Sequence, residues 1–174
     1  MHIMVDLETL STSSNAAIIS IGAVAFDKEG IKGRFYRNVD FQSAVKNSDV
    51  DGSTVAFWFK QNDEARMKFF EGEPVSLGVA MSDFSTFISE HGELEGVWGN
   101  GATFDNVILD NAYNSCFLQK PWPFWKDRCY RTMKSENPQV PFVREGVYHN
   151  ALDDAQSQAK HLIEIWRQSD DKVE

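Results

Sequence analysis

Cysteine is scarce in this 174-residue chain: Cys116 and Cys129 stand alone, with no Cys-x-x-Cys spacing. A disulfide scaffold and a thiolate zinc site are therefore poor explanations, and two reduced, buried thiols are the expectation. Long apolar runs are missing as well. Nothing approaches the roughly 20 residues needed to cross a bilayer, and the N-terminus enters a strand without a basic-then-apolar leader. The sequence thus predicts a soluble, cytoplasmic protein with no membrane partner. Positive charge is in deficit, with 17 Lys and Arg against 26 Asp and Glu and a formal net charge of -9. A broad basic surface that coats nucleic acid is excluded, whereas a grip on one chain end through metal ions is not. No internal repeat, low-complexity tract or long linker divides the chain, so residues 1–174 are expected to form one domain.

What the sequence has in quantity is apolar mass, 42% of residues with 13 Phe and 5 Trp, enough for one large aromatic-rich core. The organising stretch is Ile3 to Leu10, an apolar strand carrying Asp6 and Glu8. Side chains alternate along a strand, so these two acids share one face while Val5 and Leu7 share the other. Like charges so close repel, and a divalent cation between them is the economical remedy. An isolated Asp-x-Glu is commonly no more than an acidic surface strand; further acids at fitting places are needed to make it a site.

Ala16 to Asp27, closed by Lys28-Glu29-Gly30, reads as a second strand and hairpin, and Gly33 to Val39 as a third, completing an antiparallel meander. A short helix over 41–48, one from Asp51 to Gln61 and one from Asn62 or Asp63 to Phe70 follow. Ser76 caps a longer helix whose apolar stripe includes Leu77, Val79, Ala80, Phe84, Phe87 and Ile88. Val97 to Asn100 suits a buried fourth strand, and Asp105 opens the helix after it. An acid there is either an ordinary partner of the helix dipole or a ligand at a strand end, where α/β folds place their sites. A fifth strand is expected at Trp125 to Asp127, and a loop from Ser135 to Gly146. The last helix starts at an Asn150 cap, with Asp153 in the reciprocal position, and runs to about Gln168 on a stripe of Leu152, Ala155, Ala159, Leu162, Ile163 and Trp166. His149 then lies just before the helix and Asp154 in its first turn.

Each signal is weak singly, but Asp6, Glu8, Asp105, Asp154 and His149 all fall at element ends in separate parts of the chain. Oxygen ligands select hard cations such as Mg²⁺ or Mn²⁺, and four carboxylates exceed the needs of one ion. Two such ions and an imidazole are the equipment of a phosphoryl-transfer hydrolase.

The ordered set Asp6-Leu7-Glu8-Thr9, Asn100-x-x-x-Phe104-Asp105 and His149-x-x-x-x-Asp154 resembles the DEDD superfamily of 3′-to-5′ exonucleases, in its histidine (DEDDh, DnaQ-like) branch. Within the branch, Asp6 to Leu10, Asn15 to Val24, and Trp58-Phe59-x-Gln61 with Ala65-Arg66 are similar to the exodeoxyribonuclease VIII and phage exonuclease subgroup; a related group of bacterial exoribonucleases shares much of the pattern. The resemblance implies an α/β, RNase H-like fold: a mixed five-stranded sheet, its first three strands antiparallel, with helices on both faces. It implies metal ligation by Asp6, Glu8, Asp105 and Asp154, two divalent cations (Mg²⁺ or Mn²⁺), and His149 as general base. It places Leu7, Thr9 and Leu10 at the terminal nucleotide. Phe104 and Trp58 either stack on a base or pack in the core.

The implied reaction releases nucleoside 5′-monophosphates from 3′ ends, with DNA expected and RNA the alternative. The surrounding carboxylates are expected to raise the His149 pKa. Arg66, Arg128 and Arg131 are the expected phosphate contacts. A silent binding module on the same fold is the competing class, and it predicts a missing motif acid, which this chain does not show.

Overall fold

The computed structural model describes residues 1–170, so the last four positions of the expected domain lie outside the described residues. Its centre is a five-stranded sheet in the order β3-β2-β1-β4-β5, formed by β1 (His2–Thr9), β2 (Ile18–Asp27), β3 (Gly30–Asn38), β4 (Gly96–Gly99) and β5 (Asp127–Cys129). The first three strands pair antiparallel, and β4 and β5 join parallel to β1 and to each other. This is the expected mixed sheet. Every residue of β2 from Ile18 to Phe26 is buried, because the strand is covered on both faces and has no polar side to present. The first hairpin is tied by Asp27, whose Oδ1 accepts from the Glu29 and Gly30 amides at 2.9 and 3.1 Å.

Strand alternation sorts β1 between two layers. Ile3, Val5 and Leu7 face α4 (Leu77–Ser89) and α5 (Asp105–Ser115), while Met4 packs with Ala155, Ala159 and Leu162 of α7 (Ala151–Asp170). The stripe on α4 is the expected one except at Val79, which is 47% exposed; Met81 takes its place in the core. Phe84, stacked on Phe87 and packed at an angle against Phe35 and edge-on against Trp122, is fully buried, so its truncation to Ala would cost about 3–5 kcal/mol.

Three shorter helices, α1 (Phe41–Ala44), α2 (Gly52–Phe59) and α3 (Asp63–Met67), follow the meander, with side-chain caps from Asp40, Asp51 and Asn62. The expected helix to Phe70 ends as α3 plus a 3₁₀ turn over Lys68–Phe70.

The fifth strand begins where the expected one ends. Phe124–Lys126, preceded by Pro123, forms a 3₁₀ turn, and Asp127, Arg128 and Cys129 pair with Val97, Trp98 and Gly99. Only the free edge of β4 marks these polar residues as strand. α6 (Tyr130–Glu136) claims the first two residues of the expected loop. Cys116 and Cys129 are free as expected, but half-buried instead of buried.

Two glycines set the distances that matter for the site. Gly22 sits opposite Asp6 in the sheet, and a β-carbon on it would overlap the Ala151 carbonyl carbon and the Leu152 nitrogen, so the start of α7 rests directly on this gap. A β-carbon on Gly99 would collide with Asn106 Oδ1 and Asp105 Cβ, so α5 can begin against the end of β4 only because that residue is glycine.

Candidate active site

Asp6 and Glu8 lie on the α7 side of β1, as alternation requires. Asp6 Oδ1 accepts from Gln158 Nε2 at 2.7 Å, one helical turn beyond Asp154. β1 breaks register with β2 between Glu8 and Thr9, after both acids have been placed. Asp105 is the first residue of α5 and is 2% exposed; its amide donates to the Gly101 carbonyl at 3.1 Å. The next residue, Asn106, pins this helix start to the sheet through Val97 O (3.1 Å) and Asp127 Oδ1 (2.9 Å).

At α7, Asn150 Oδ1 accepts from the Asp153 amide at 3.1 Å, half of the expected capping box. The other half is redirected, because the chain turns at Gly146 and presents the Val147 amide, at 2.8 Å, to Asp153 Oδ2. Asp154 is thereby left out of the cap and stands near Glu8 and His149. His149 precedes the cap in a left-handed conformation, φ 63°, with its ring walled by Tyr148 (3.8 Å between centroids), Phe57 (5.1 Å) and Trp58 (5.8 Å). Left-handed backbone is costly for a residue with a β-carbon, and the aromatic wall and the capped helix hold it there. Glu8, His149 and Asp154 present ligand atoms that all lie within 4.8 Å of one another.

Asp6 and Asp105 stand beside that group and act on it through charge. Burial, and then the Asp105 charge, push the Asp6 carboxyl up to about 8, while the Gln158 hydrogen bond pulls it part of the way back. Asp105 is raised to about 7 by burial, against hydrogen bonds to backbone, that of Leu7 foremost. Glu8 is raised by burial, Asp6 and Asp105 in that order. Glu8 Oε1 and Asp105 Oδ2 are buried with no hydrogen-bond partner among the described residues. Orphaned, mutually repelling carboxylate oxygens are what a hard dication would satisfy, so the residues fit the expected metal. The His149 imidazole is displaced the other way from expectation, downward, first by burial and then by the Arg144 cation.

Next to the acids lies a cleft of about 390 Å³. Leu7, Thr9, Trp58 and Phe104 line it together with Glu8, Thr12, Ser53, Thr54 and Phe57. Leu10 turns instead into a neighbouring apolar recess with Ile19, Phe41, Phe69 and Phe70. Trp58 does two jobs: its indole N–H donates to Thr9 O at 2.8 Å, which fixes the end of β1, and its ring packs edge-on against Phe69 at 4.7 Å.

Of the expected phosphate-binding arginines, Arg66 is engaged elsewhere with Asp63 and Phe59 O and Arg128 with Trp125 O and Asp127 O, while Arg131 donates to Asn100 O at the rim of the site, where its charge reaches Asp105. Two residues in contact with the acids escape the sequence reading. Gln158 is marked only by its helical spacing from Asp154. Arg144, which pairs with Asp154, is a lone cation in a loop without periodicity.

Residues 1–166 match the family described as the 3′-5′ exoribonuclease Rv2179c-like domain. An exodeoxyribonuclease of Enterobacteria phage T4 is 26% identical over 161 aligned positions, covering 74% of this chain and 68% of the relative. The fold is shared with the nuclease domain of 3′hExo, a DEDDh family member bound to rAMP (TM-score 0.65, 15% identity, 96% of this chain and 92% of that one). It is shared also with S. pombe Pop2p in a form binding Mg²⁺ and Mn²⁺ (0.61, 16%, 94% and 82%) and with Exonuclease X in complex with 5′ overhanging duplex DNA (0.57, 16%, 97% and 93%). The chain belongs to the 3′-5′ exoribonuclease Rv2179c-like domain family and is a 3′-5′ exonuclease on the RNase H-like fold.

Proposed function

We propose that the protein removes nucleoside 5′-monophosphates one at a time from polynucleotide 3′ ends, with two divalent cations held by Asp6, Glu8, Asp105 and Asp154 and with His149 as general base. The observation that carries the reading is the pair of buried, unpartnered carboxylate oxygens on Glu8 and Asp105, set beside a cleft of aromatic rings and hydroxyls. Bound Mg²⁺ or Mn²⁺ would supply Lewis acidity, stabilising the charge that builds on the phosphate. The chain's own residues do the rest. His149, with its pKa held below the ordinary imidazole value, is neutral near pH 7 and free to take a proton from the attacking water. Tyr148, Phe57 and Trp58 fix the ring that receives it. Thr9 and the flanking hydroxyls suit a terminal sugar, and the rings of Phe57 and Phe104 suit its base.

RNA is the favoured substrate, on the family's description and on the cleft hydroxyls of Thr12, Ser53 and Thr54, which can accept from a 2′-hydroxyl. DNA is the second reading, supported by the phage exodeoxyribonuclease. Incubation with matched, labelled RNA and DNA oligonucleotides and Mg²⁺ or Mn²⁺ tests both. Stepwise shortening from the 3′ end is expected, faster on RNA. Internal cleavage, or no cleavage with either ion, would overturn the reading.

A further inference from the structure

The loop between α6 and α7 carries a cation into the acid cluster. Arg144 pairs with Asp154, and its guanidinium carbon stands 4.1 Å over the Tyr148 ring and 5.7 Å from the Phe142 ring. Its charge also reaches Asp6, Glu8 and His149. The backbone around it is fastened without its help: the Glu145 amide donates to Ser157 Oγ at 3.0 Å, the Val147 amide to Asp153 Oδ2 at 2.8 Å, and Phe142 packs against His161 at 5.5 Å. Holding the loop is therefore not what the side chain is for. The loop at Arg144 is anchored to α7 through its neighbours, and the long side chain, 36% exposed, reaches Asp154.

We propose that Arg144 is a substrate-phosphate-binding residue, held in reserve by Asp154 and released to the phosphate of the terminal nucleotide when a dication takes that carboxylate. The inference rests on the exonuclease reading above. A dication and a guanidinium repel each other, so the pairing with Asp154 weakens as the ion binds. The nearest incoming anion is then the phosphate. The guanidinium fork matches two phosphate oxygens, and stacking on Tyr148 restricts its plane beforehand, which lowers the ordering cost of the contact. Arg66 and Arg128 are engaged away from the acids and Arg131 is held by the Asn100 carbonyl, so Arg144 is the arginine whose partner is itself one of the site's acids.

Calorimetry on the Ca²⁺-loaded protein tests this, with a nucleoside 5′-monophosphate and the matching nucleoside as paired probes. Arg144→Gln should weaken the monophosphate by about 10- to 100-fold, the worth of a charge-assisted hydrogen bond, and leave the nucleoside unchanged. Arg144→Lys should recover part of the loss, since charge returns without the fork. Mn²⁺ alone should bind Arg144→Gln at least as tightly as it binds wild type, because a competitor for Asp154 is gone. Equal monophosphate affinity in wild type and Arg144→Gln overturns the proposal. If thermal melts show Arg144→Gln unfolded, the Lys variant decides, and affinity equal to wild type overturns it there. A wild type that binds neither probe would instead remove the exonuclease reading, and the inference with it.

Discussion

Asp6 and Asp105 hold their protons far above the ordinary carboxylate range, which makes metal-free stability depend on pH in a definite direction. In the unfolded chain both ionise near 3.8; folded, they keep their protons to about 8 and about 7. Across that window the folded state binds more protons than the unfolded one, so stability falls as pH rises. Glu8, also raised, adds to the decline, whereas Asp27, Asp51 and Glu95, whose values are lowered, act in the opposite sense at the foot of that window, and His2 and His149, lowered from 6.5, offset part of it below that pH. The melting temperature without metal should therefore decline between about pH 4 and pH 8, and Mn²⁺ should restore it at the upper end. Asp6→Asn should flatten the upper part of the decline, hold or raise the melting temperature at pH 8, and abolish nucleolysis. A large fall in melting temperature with turnover retained would remove Asp6 from the site. For His149→Ala, turnover should drop by about 10²- to 10⁴-fold, with Mn²⁺ affinity little changed. Because the imidazole lies within ligand distance of Glu8 and Asp154, a metal titration of this variant is the decisive measurement: a large loss of affinity would make His149 a ligand.

The site depends at the next scale on how closely α7 and α5 approach the sheet. Gly22 is the contact point of α7, opposite Asp6, and no β-carbon fits between that strand and the Ala151 backbone. Gly22→Ala should lift the first turn of α7, and with it His149 and Asp154, away from Asp6 and Glu8. Overpacking of this kind costs about 1–3 kcal/mol, which lowers the melting temperature of a domain this size by roughly 2–10 °C. Activity should fall further than stability alone explains, which turnover measured well below the melting temperature would reveal. Much of this scale is legible in the sequence. The stripe of Ala155, Ala159 and Leu162 marks the buried face of α7, and the Asn150 cap marks its start. β5 is not legible, because Asp127 to Cys129 have no alternation of their own and become a strand by pairing with β4.

At the scale of the whole molecule, an acidic protein must hold a polyanion. Two bound dications would bring the formal charge from -9 to about -5, and Arg66, Arg128 and Arg131 are engaged with other groups. No broad phosphate track follows from such a surface. The protein should hold the last few nucleotides only and release them distributively. Neutralising about two phosphates on a single strand gives a slope of log K against log salt of roughly -1 to -2. A salt series with the Asp6→Asn variant in Ca²⁺, on a short and a long oligonucleotide, would show it. A slope steeper than about -5, or affinity that climbs with length, would reveal an extended basic groove.

The sequence by itself determined the strand that carries Asp6 and Glu8, the helix starts that carry Asp105 and Asp154, and the antiparallel meander beside them, while the mixed five-stranded sheet came from the family resemblance. The strand, helix starts and meander follow from periods of two and 3.6 and from local caps, which short stretches of chain encode without reference to the rest. Tertiary structure decided what depends on neighbours distant in sequence. The His149 pKa moves down and not up, because burial and then the Arg144 cation lower it. Leu10 leaves the cleft after the register break in β1. Asp154 meets Arg144, and Asp6 meets Gln158, across 10 and 152 positions of sequence. Charge and burial act through space, and no local pattern records which side chains the fold will bring within a few ångströms of an acid.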